Sequence, residues 1–181
     1  SHFDLYENAN IHRGIYDLSN QATQQFENAR TEIARFLGSS NANTVAFTQG
    51  TTAYINIVAQ SFLAPRLQAG DNIVTTIMEH HANFIPWQML AQKYQVELRL
   101  VPIDKNGDLE LVQLSNFLDK ETKLLAISHI SNTLGTIHPL DEIIELAKRK
   151  DIPVLVDAAQ SACHFEIGVD PLNCDFLTFS G

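Results

Sequence analysis

Short apolar runs alternate with segments of helical period along most of the chain. The runs predict strands at residues 44–49, 72–78, 96–102, 124–130, 153–160 and 175–180. Between them, the spacing of apolar positions predicts helices at residues 51–67, 82–94, 109–118 and 139–150. This alternation is typical of a three-layer α/β fold, with a mostly parallel sheet covered on both faces. No repeat, low-complexity stretch or linker interrupts the pattern, so we expect one continuous domain over residues 1–181.

A longer helix is predicted before the first strand, over residues 18–38. Its apolar stripe has helical spacing and consists of Ala22, Phe26, Ala29, Ile33 and Phe36. We expect Ser19 or Asn20 to cap its N-terminus, because short polar side chains accept hydrogen bonds from the free N–H groups of the first turn. Gly38 is expected to end the helix, at a position that favours positive φ.

Composition narrows the class of protein. Of the 181 residues, 45% are apolar and 18% are charged, which indicates a globular protein rather than a disordered chain, a collagen-like repeat or a coiled coil. The net charge of −9 argues against a nucleic-acid partner. No apolar run is long enough to cross a membrane and no signal peptide is visible, so we expect no membrane partner and a cytoplasmic protein. The two cysteines, Cys163 and Cys174, exclude a disulfide-rich scaffold and are expected to be buried.

Polar residues follow the predicted strands, where an open parallel sheet binds its ligands. After the first strand, Gln49, Gly50, Thr51 and Thr52 open a helix. The glycine, the two hydroxyls and the N–H groups of the helix N-terminus can bind an anion, although an ordinary helix cap explains the threonines as well. Ser180, after the last strand, offers another hydroxyl. The chain has neither GxxxxGK[ST] nor GxGxxG, so nucleotide-binding loops are not supported.

Histidine and asparagine follow the second and fourth predicted strands. His80 and His81 are adjacent, and adjacent residues on an extended chain face opposite sides, so we expect only one of them to face a ligand. A flat imidazole can stack on an aromatic ligand; the alternative is a solvated loop histidine. Asn132 offers a donor and an acceptor, although an Asn-x-x-Gly turn also explains it. The chain lacks HExxH, and no metal site is expected.

Asp157 ends the fifth predicted strand, and Gln160 follows three residues later. A carboxylate at the end of a buried run is costly unless a cation or donors meet it. A protonated ring nitrogen would do so, while a helix cap or a structural ion pair are the alternatives. Together, an anion cup, a stacking group, an amide and a carboxylate fit a phosphorylated, flat, cationic heteroaromatic ligand. Pyridoxal phosphate (PLP) is the natural candidate.

The motifs resemble one enzyme family along essentially the whole chain. They are NIHRG (10–14), QGTTAYINIVAQ (49–60), MEHHANFIPWQ (78–88), SNTLGT (131–136), VDAAQ (156–160) and CDFLTFSG (174–181). In combination they resemble the SufS/CsdA-type (group II) cysteine desulfurases, which are class-V-aminotransferase-like PLP enzymes of fold type I. The resemblance implies that residues 1–181 form part of the large cofactor-binding domain.

The resemblance also implies roles on the phosphate side and over the ring. Thr51 and Thr52 match the family's phosphate-binding threonines, and Ser180 matches a serine that contacts the phosphate. His80 matches the imidazole that stacks on the cofactor and is expected to be catalytic. His12 matches a histidine near the entrance to the active site.

Further roles are implied on the ring and substrate side. Asp157 matches the aspartate that pairs with the pyridinium nitrogen, and Gln160 matches a glutamine that bonds the phenolic oxygen. Asn132 matches the asparagine near that oxygen and the substrate. The sequence departs from the family at Gln49, where RGTT is usual, and at Ala158, where DGAQ is usual.

The implied reaction converts L-cysteine to L-alanine and leaves an enzyme persulfide for iron–sulfur cluster assembly. The implied partners are a second copy of the chain, in a homodimer, and a sulfur-acceptor protein. The family's cofactor-linked lysine, its persulfide cysteine and its small C-terminal domain follow FSG, so we expect residues 1–181 alone to be inactive. Selenocysteine lyase or another class V enzyme, and a non-catalytic interaction module, are the alternatives.

Overall fold

The structure is a computed structural model that describes residues 11–12, 14 and 16–180. The chain divides into two compact units. The first unit comprises Ser1–Ala46 and Glu166–Asp170, and the second comprises Phe47–Phe165 and Pro171–Gly181. Sequence patterning predicts a single continuous domain, and the assignment of residues 1–181 to a larger cofactor-binding domain stays a prediction.

A five-stranded sheet forms the centre of the second unit. Its strands are β1 (Asn72–Thr76), β2 (Glu97–Val101), β3 (Thr122–Ser128), β4 (Val154–Asp157) and β5 (Phe176–Thr178). They run parallel in the order β2-β1-β3-β4-β5. The chain therefore passes from β1 to β2 at one edge of the sheet and then continues with β3 on the other side of β1. This change of direction opens a crevice between the carboxyl-terminal ends of β1 and β3.

Six α-helices accompany the strands in the described chain. They are α1 (Asp17–Phe36), α2 (Thr51–Ile57), α3 (Ile85–Tyr94), α4 (Leu111–Phe117), α5 (Leu140–Lys148) and α6 (Val169–Leu172). α2 continues as a π-helical stretch over Val58–Leu63 and a 3₁₀ turn over Ala64–Arg66, so the helix predicted over residues 51–67 is present but irregular. The predicted α/β class with a parallel sheet flanked by helices is confirmed.

An apolar core lies between the sheet and the helices of the second unit. Trp87 and Leu90 of α3 are buried against Ile55 of α2 and Leu124 of β3. All five residues of β1 are buried, which is the pattern of a strand covered on both faces. In the described part of the chain, no helix combines the length and the hydropathy that a membrane crossing needs.

The strand predicted at residues 44–49 is wrong. A 3₁₀ turn occupies Ala42–Thr44, and the extended residues after it belong to no strand. An apolar run becomes a strand only where a neighbouring backbone completes its hydrogen bonds, and no strand pairing with residues 45–49 occurs in the described chain. Phe47 keeps 47% of its surface exposed, as expected for a connecting segment.

Three local expectations also need correction. α1 begins at Asp17 after Tyr16, so Ser19 and Asn20 lie inside its first turn and neither caps it. The stripe on α1 is at most half-buried, and Phe36 is 54% exposed. Cys163 is exposed rather than buried, because the turns after β4 bring it to the surface, and Cys174 is half-buried. Gly38 follows α1 with φ +66°, as predicted.

Candidate active site

A cavity of about 320 Å³ opens at the carboxyl-terminal edge of the sheet, within the size range of small-ligand sites. Polar residues that follow β1, β3, β4 and β5 meet there with the start of α2. The lining consists of Gln49, Gly50, Thr51, Thr52, His80, Ala82, Ser128, Ile130, Asn132, Asp157, Ala159, Gln160 and Ser180. Seven residues predicted from sequence for one ligand site thus line one cavity: Thr51, Thr52, His80, Asn132, Asp157, Gln160 and Ser180.

Hydroxyl groups and backbone N–H groups form one corner of the cavity. The N–H of Thr51 donates to Ser180 Oγ at 3.3 Å, and the two hydroxyl oxygens are 3.2 Å apart. Gly50 precedes α2 with φ +93° and ψ 175°, a conformation that strains any residue with a Cβ. Thr52 lines the same corner and is exposed. The corner offers donors to an anion at the start of a helix.

Asp157 ends β4 with only 6% of its surface exposed. The N–H of Ala159 donates to its carboxylate at 2.9 Å. Burial raises the pKa of Asp157 above its ordinary value, while that hydrogen bond and nearby His80 act in the opposite direction. Among the described residues that line the cavity, none is lysine or arginine. A ligand that brings a positive charge to this carboxylate would stabilise its ionised form.

His80 follows β1 and lines the cavity, whereas His81 does not. Only one histidine of the pair faces the cavity, as expected, but the reason differs, because β1 ends at Thr76 and His81 begins a 3₁₀ turn rather than extending a strand. The role of His80 toward a ligand stays a prediction. The N–H of Ala82 donates to His80 Nδ1 at 3.2 Å. Since Nδ1 accepts this bond, the neutral imidazole carries its proton on Nε2.

The side-chain amides of Asn132 and Gln160 are exposed and line the rest of the cavity. Asn132 lies in the loop after β3, which an antiparallel bridge between Ile130 and Ile137 closes. Gly135 has φ +73° and donates its N–H to Ser131 O, so the Asn-x-x-Gly segment considered from the sequence lies within a turn that begins at Ser131. Asn132 lines the cavity from within this turn, and its role toward a ligand stays a prediction.

His12 belongs to the first unit. Its Nε2 lies 3.0 Å from a carboxylate oxygen of Glu27, and its ring packs edge-on against Phe26, both on α1. Its predicted place near the entrance to the active site stays a prediction. Neighbouring Arg13 lies outside the described residues.

Sequence reasoning missed Glu79, whose carboxylate accepts hydrogen bonds from Thr76, Asn83 and Ser128. The residue is partly exposed, but its carboxylate is enclosed by these donors, and burial raises its pKa to about 7. The sequence carries one signal of these contacts, because Glu79, Asn83 and Trp87 are spaced four residues apart. Among the described residues, no cluster of three or more His, Cys, Asp or Glu side chains could hold a metal ion.

The aminotransferase class-V family model matches residues 1–181. The chain belongs to this family. A cysteine desulfurase from Enterobacter sp. (strain 638) is 50% identical over 173 residues, which cover 96% of this chain and 43% of the relative. The crystal structure of the cysteine desulfurase CsdA from Escherichia coli superposes with a TM-score of 0.84 and 35% identity, over 95% of this chain and 43% of that chain.

A third comparison concerns the cofactor. A structure of a C-DES mutant, with glycine covalently linked to the PLP cofactor, superposes with a TM-score of 0.81 and 28% identity. The match covers 93% of this chain and 45% of that chain. The resemblance to PLP-dependent cysteine desulfurases is confirmed, and the family is PLP-dependent. The chain spans less than half the length of these relatives.

Proposed function

We propose that the protein containing this chain is a PLP-dependent cysteine desulfurase, which converts L-cysteine to L-alanine and holds the sulfur as an enzyme persulfide. The observation that carries the proposal is the buried carboxylate of Asp157, which shares one cavity with the His80 imidazole and the hydroxyl corner of Thr51 and Ser180. A cationic ring and a phosphate on one ligand would satisfy both ends of this cavity.

The residues fit PLP by their chemistry. The Thr51–Ser180 corner and Thr52 would bind the phosphate, and Asp157 would hold the proton on the ring nitrogen. When bound, PLP supplies an electron sink for carbanion chemistry at the substrate. His80 would cover the ring and move a proton through its Nε2 position. Gln160 and Asn132 would donate to the phenolic oxygen, with Asn132 also facing the substrate.

Neither cysteine of the chain is assigned the persulfide. Burial raises the pKa of Cys174 to about 11, so its thiol is protonated near neutral pH and is a poor nucleophile. Cys163 lies on the exposed turns after β4 and is not among the residues that line the cavity. The sulfur-accepting cysteine therefore belongs to another part of the protein.

The branch of the family, the oligomeric state and the cellular compartment are proposed from sequence motifs, exposed apolar side chains and free thiols. MEHHANFIPWQ favours the SufS-like branch, with a separate sulfur-acceptor protein for iron–sulfur cluster assembly. Ile77, Ile85 and Met89 are between 40% and 61% exposed, which supports a homodimer that covers them. Two free thiols favour a reducing compartment such as the cytoplasm.

The experiment that tests the proposal uses the full-length protein with PLP. Alanine is measured with L-cysteine, L-selenocysteine and L-cysteine sulfinate as alternative substrates. The second product is measured with it, as sulfide or selenide released by an added dithiol reductant, or as sulfite. We expect L-cysteine to give alanine and a persulfide that alkylation traps on the protein, and to give sulfide once the dithiol reduces that persulfide. Selective turnover of L-selenocysteine or L-cysteine sulfinate would identify another class V enzyme. A protein that binds no PLP would instead be a non-catalytic interaction module.

A separate preparation of residues 1–181 tests whether this segment has desulfurase activity without the rest of the protein. The described cavity lining holds no lysine, and neither cysteine is assigned the persulfide. We therefore expect no desulfurase turnover from this segment alone. Sustained alanine production by residues 1–181 would contradict that expectation without contradicting the assignment of the full-length protein.

A further inference from the structure

The carboxylate of Glu79 joins three segments at the crevice. Thr76 Oγ1, at the end of β1, donates to Glu79 Oε1 at 2.8 Å. Asn83 Nδ2, in the turn that follows, donates to Oε2 at 2.7 Å. At the end of β3, Ser128 N–H and Ser128 Oγ lie 3.1 and 3.3 Å from Oε1. The turn between Glu79 and Asn83 carries His80.

The hydrogen-bonding direction is fixed on both sides of this carboxyl group. The indole Nε1 of Trp87 can only donate, and it donates to Asn83 Oδ1 at 3.1 Å. Asn83 must therefore present its NH₂ group to Glu79 Oε2. On the other side, the backbone N–H of Ser128 can only donate to Oε1. While Glu79 is ionised, both of its oxygens accept hydrogen bonds, so an amide at position 79 would place its NH₂ group against a donor on one side.

The same contacts determine how His80 is presented. The N–H of Asn83 donates to the His80 carbonyl oxygen at 2.8 Å, and the N–H of Ala82 donates to His80 Nδ1. Holding Asn83 in place thus holds the turn that selects the Nε2–H form of the imidazole. On β3, Ser128 pairs in register with Asp157, so the anchor point lies beside the buried carboxylate of the cavity.

We propose that Glu79 is a positioning residue, whose carboxyl group locks the His80 turn to the end of β3 and thereby sets the imidazole tautomer and its placement in the cavity that it shares with Asp157. The inference rests on the proposed function, because it assigns the support for that site. Glu79 is not among the residues that line the cavity, so it acts through His80 rather than on the ligand.

Ser128, which binds the Glu79 carboxylate at the end of β3, is itself held by a hydrogen bond from a buried histidine. His138 is 1% exposed, and its Nδ1 donates to the Ser128 carbonyl oxygen at 2.6 Å. A fixed Ser128 makes its N–H a stationary donor, so the turn must adapt if Glu79 changes. Replacing Glu79 with glutamine is therefore expected to move His80 and leave β3 in place.

The test exchanges the amide and the carboxylate between the two side chains of this pair, in the full-length protein. Glu79→Gln alone sets an NH₂ group against a donor, and Asn83→Asp alone sets two carboxylates against each other. In the double variant the new carboxylate accepts from both Trp87 and the new amide, while the amide oxygen accepts from Ser128 N–H. The double variant thus restores every donor–acceptor pair at unchanged net charge.

The readouts are the ¹⁵N chemical shifts of His80 in the apoprotein, the PLP dissociation constant, and kcat and KM for L-cysteine. We expect Glu79→Gln to alter the Nδ1 and Nε2 shifts and to lower kcat roughly 10- to 100-fold, as misplacement of a catalytic group does. KM should change much less. The double variant should recover the native His80 shifts and most of kcat. Glu142→Gln, an exposed site on α5, is the matched control.

Two results would overturn the proposal. One is a Glu79→Gln protein with native His80 shifts and native kcat, and the other is a double variant no better than either single variant. If Glu79→Gln fails to fold, the double variant still decides, since recovery of folding without recovery of the His80 shifts also contradicts positioning. If the wild-type protein binds no PLP, the proposed function fails, while the apoprotein shifts still test the lock.

Discussion

The hydroxyl oxygens of Ser180 and Thr51 lie 3.2 Å apart although 129 residues separate them in sequence. The contact joins the chain just beyond β5 to the first residue of α2, and the Thr51 N–H also donates to Ser180 Oγ. Two hydroxyls and a helix N-terminus therefore point at one small volume. Such a corner requires a backbone at Gly50 that only glycine adopts without strain.

Gly50→Ala is expected to weaken PLP binding by roughly tenfold or more, because it displaces the Thr51 N–H that holds Ser180 Oγ, and a hydroxyl bond to the charged phosphate is lost. Gly70→Ala is the matched control. Gly70 has φ +94° and Gly50 has φ +93°, and an added Cβ at Gly70 meets nothing within 4 Å. Both variants should lose about 1–3 kcal/mol of stability from backbone strain. Equal PLP affinities in the two variants, measured by fluorescence titration of full-length protein, would contradict a phosphate site here.

Asp157→Asn tests the ring end of the cavity. A hydrogen bond to a charged group contributes about 1.5–3 kcal/mol, so we expect PLP affinity to fall roughly 10- to 150-fold. The apoprotein should not lose stability, because the substitution removes a buried charge. Asp71→Asn is the control, since Asp71 is 3% exposed but pairs with Lys123 at 3.2 Å, away from the cavity.

The Asp71→Asn control should show the opposite pattern, with a lower melting temperature and an unchanged PLP affinity. Absorbance titration with PLP and thermal unfolding of both variants measure the two effects separately. A common response of the two aspartate variants would mean that Asp157 is only a structural residue.

The strand-end residues could be predicted because their placement follows from topology rather than from packing detail. Once the strands are parallel, Asp157, Ser180 and His80 must lie at one edge of the sheet, wherever the strand bounds fall. The strand at residues 44–49 failed for the converse reason. Its apolar pattern is local, whereas a strand depends on a partner that no local pattern specifies.

Glu79 could not be predicted because its environment is assembled from distant parts of the chain. Ser128 is 49 residues away, and the orientation of Asn83 depends on the indole of Trp87. A glutamate after a strand ordinarily indicates a solvated turn. Cys163 shows the same limit, since its exposure depends on the turns after β4 rather than on its own residue type.

His80→Phe separates ring coverage from proton transfer. A phenyl ring keeps a flat face over the ligand but loses the Nε2 proton and the Nδ1 acceptor for the Ala82 N–H. We expect PLP affinity to stay within a few-fold and kcat to fall about 10²- to 10⁴-fold, the usual contribution of a general acid–base group. His81→Phe, one residue further and outside the cavity lining, should leave kcat near the wild-type value. Full activity of His80→Phe would remove His80 from the catalytic step.

The buried carboxyl group of Glu79 predicts a pH dependence of apoprotein stability. Burial raises its pKa from 4.5 to about 7, so between these values the folded protein binds more protons than the unfolded chain. Its stabilising contribution is therefore complete below pH 4.5 and is lost as the pH rises through about 7, by at most on the order of 3 kcal/mol. Asp157 is the charged group that acts on it, and its own raised pKa gives the same sign. Urea unfolding of the full-length apoprotein at pH 5, 6, 7 and 8 measures the slope, which Glu79→Gln should reduce and Glu142→Gln should not. An unchanged slope in Glu79→Gln would show that this carboxyl group is already ionised throughout that range.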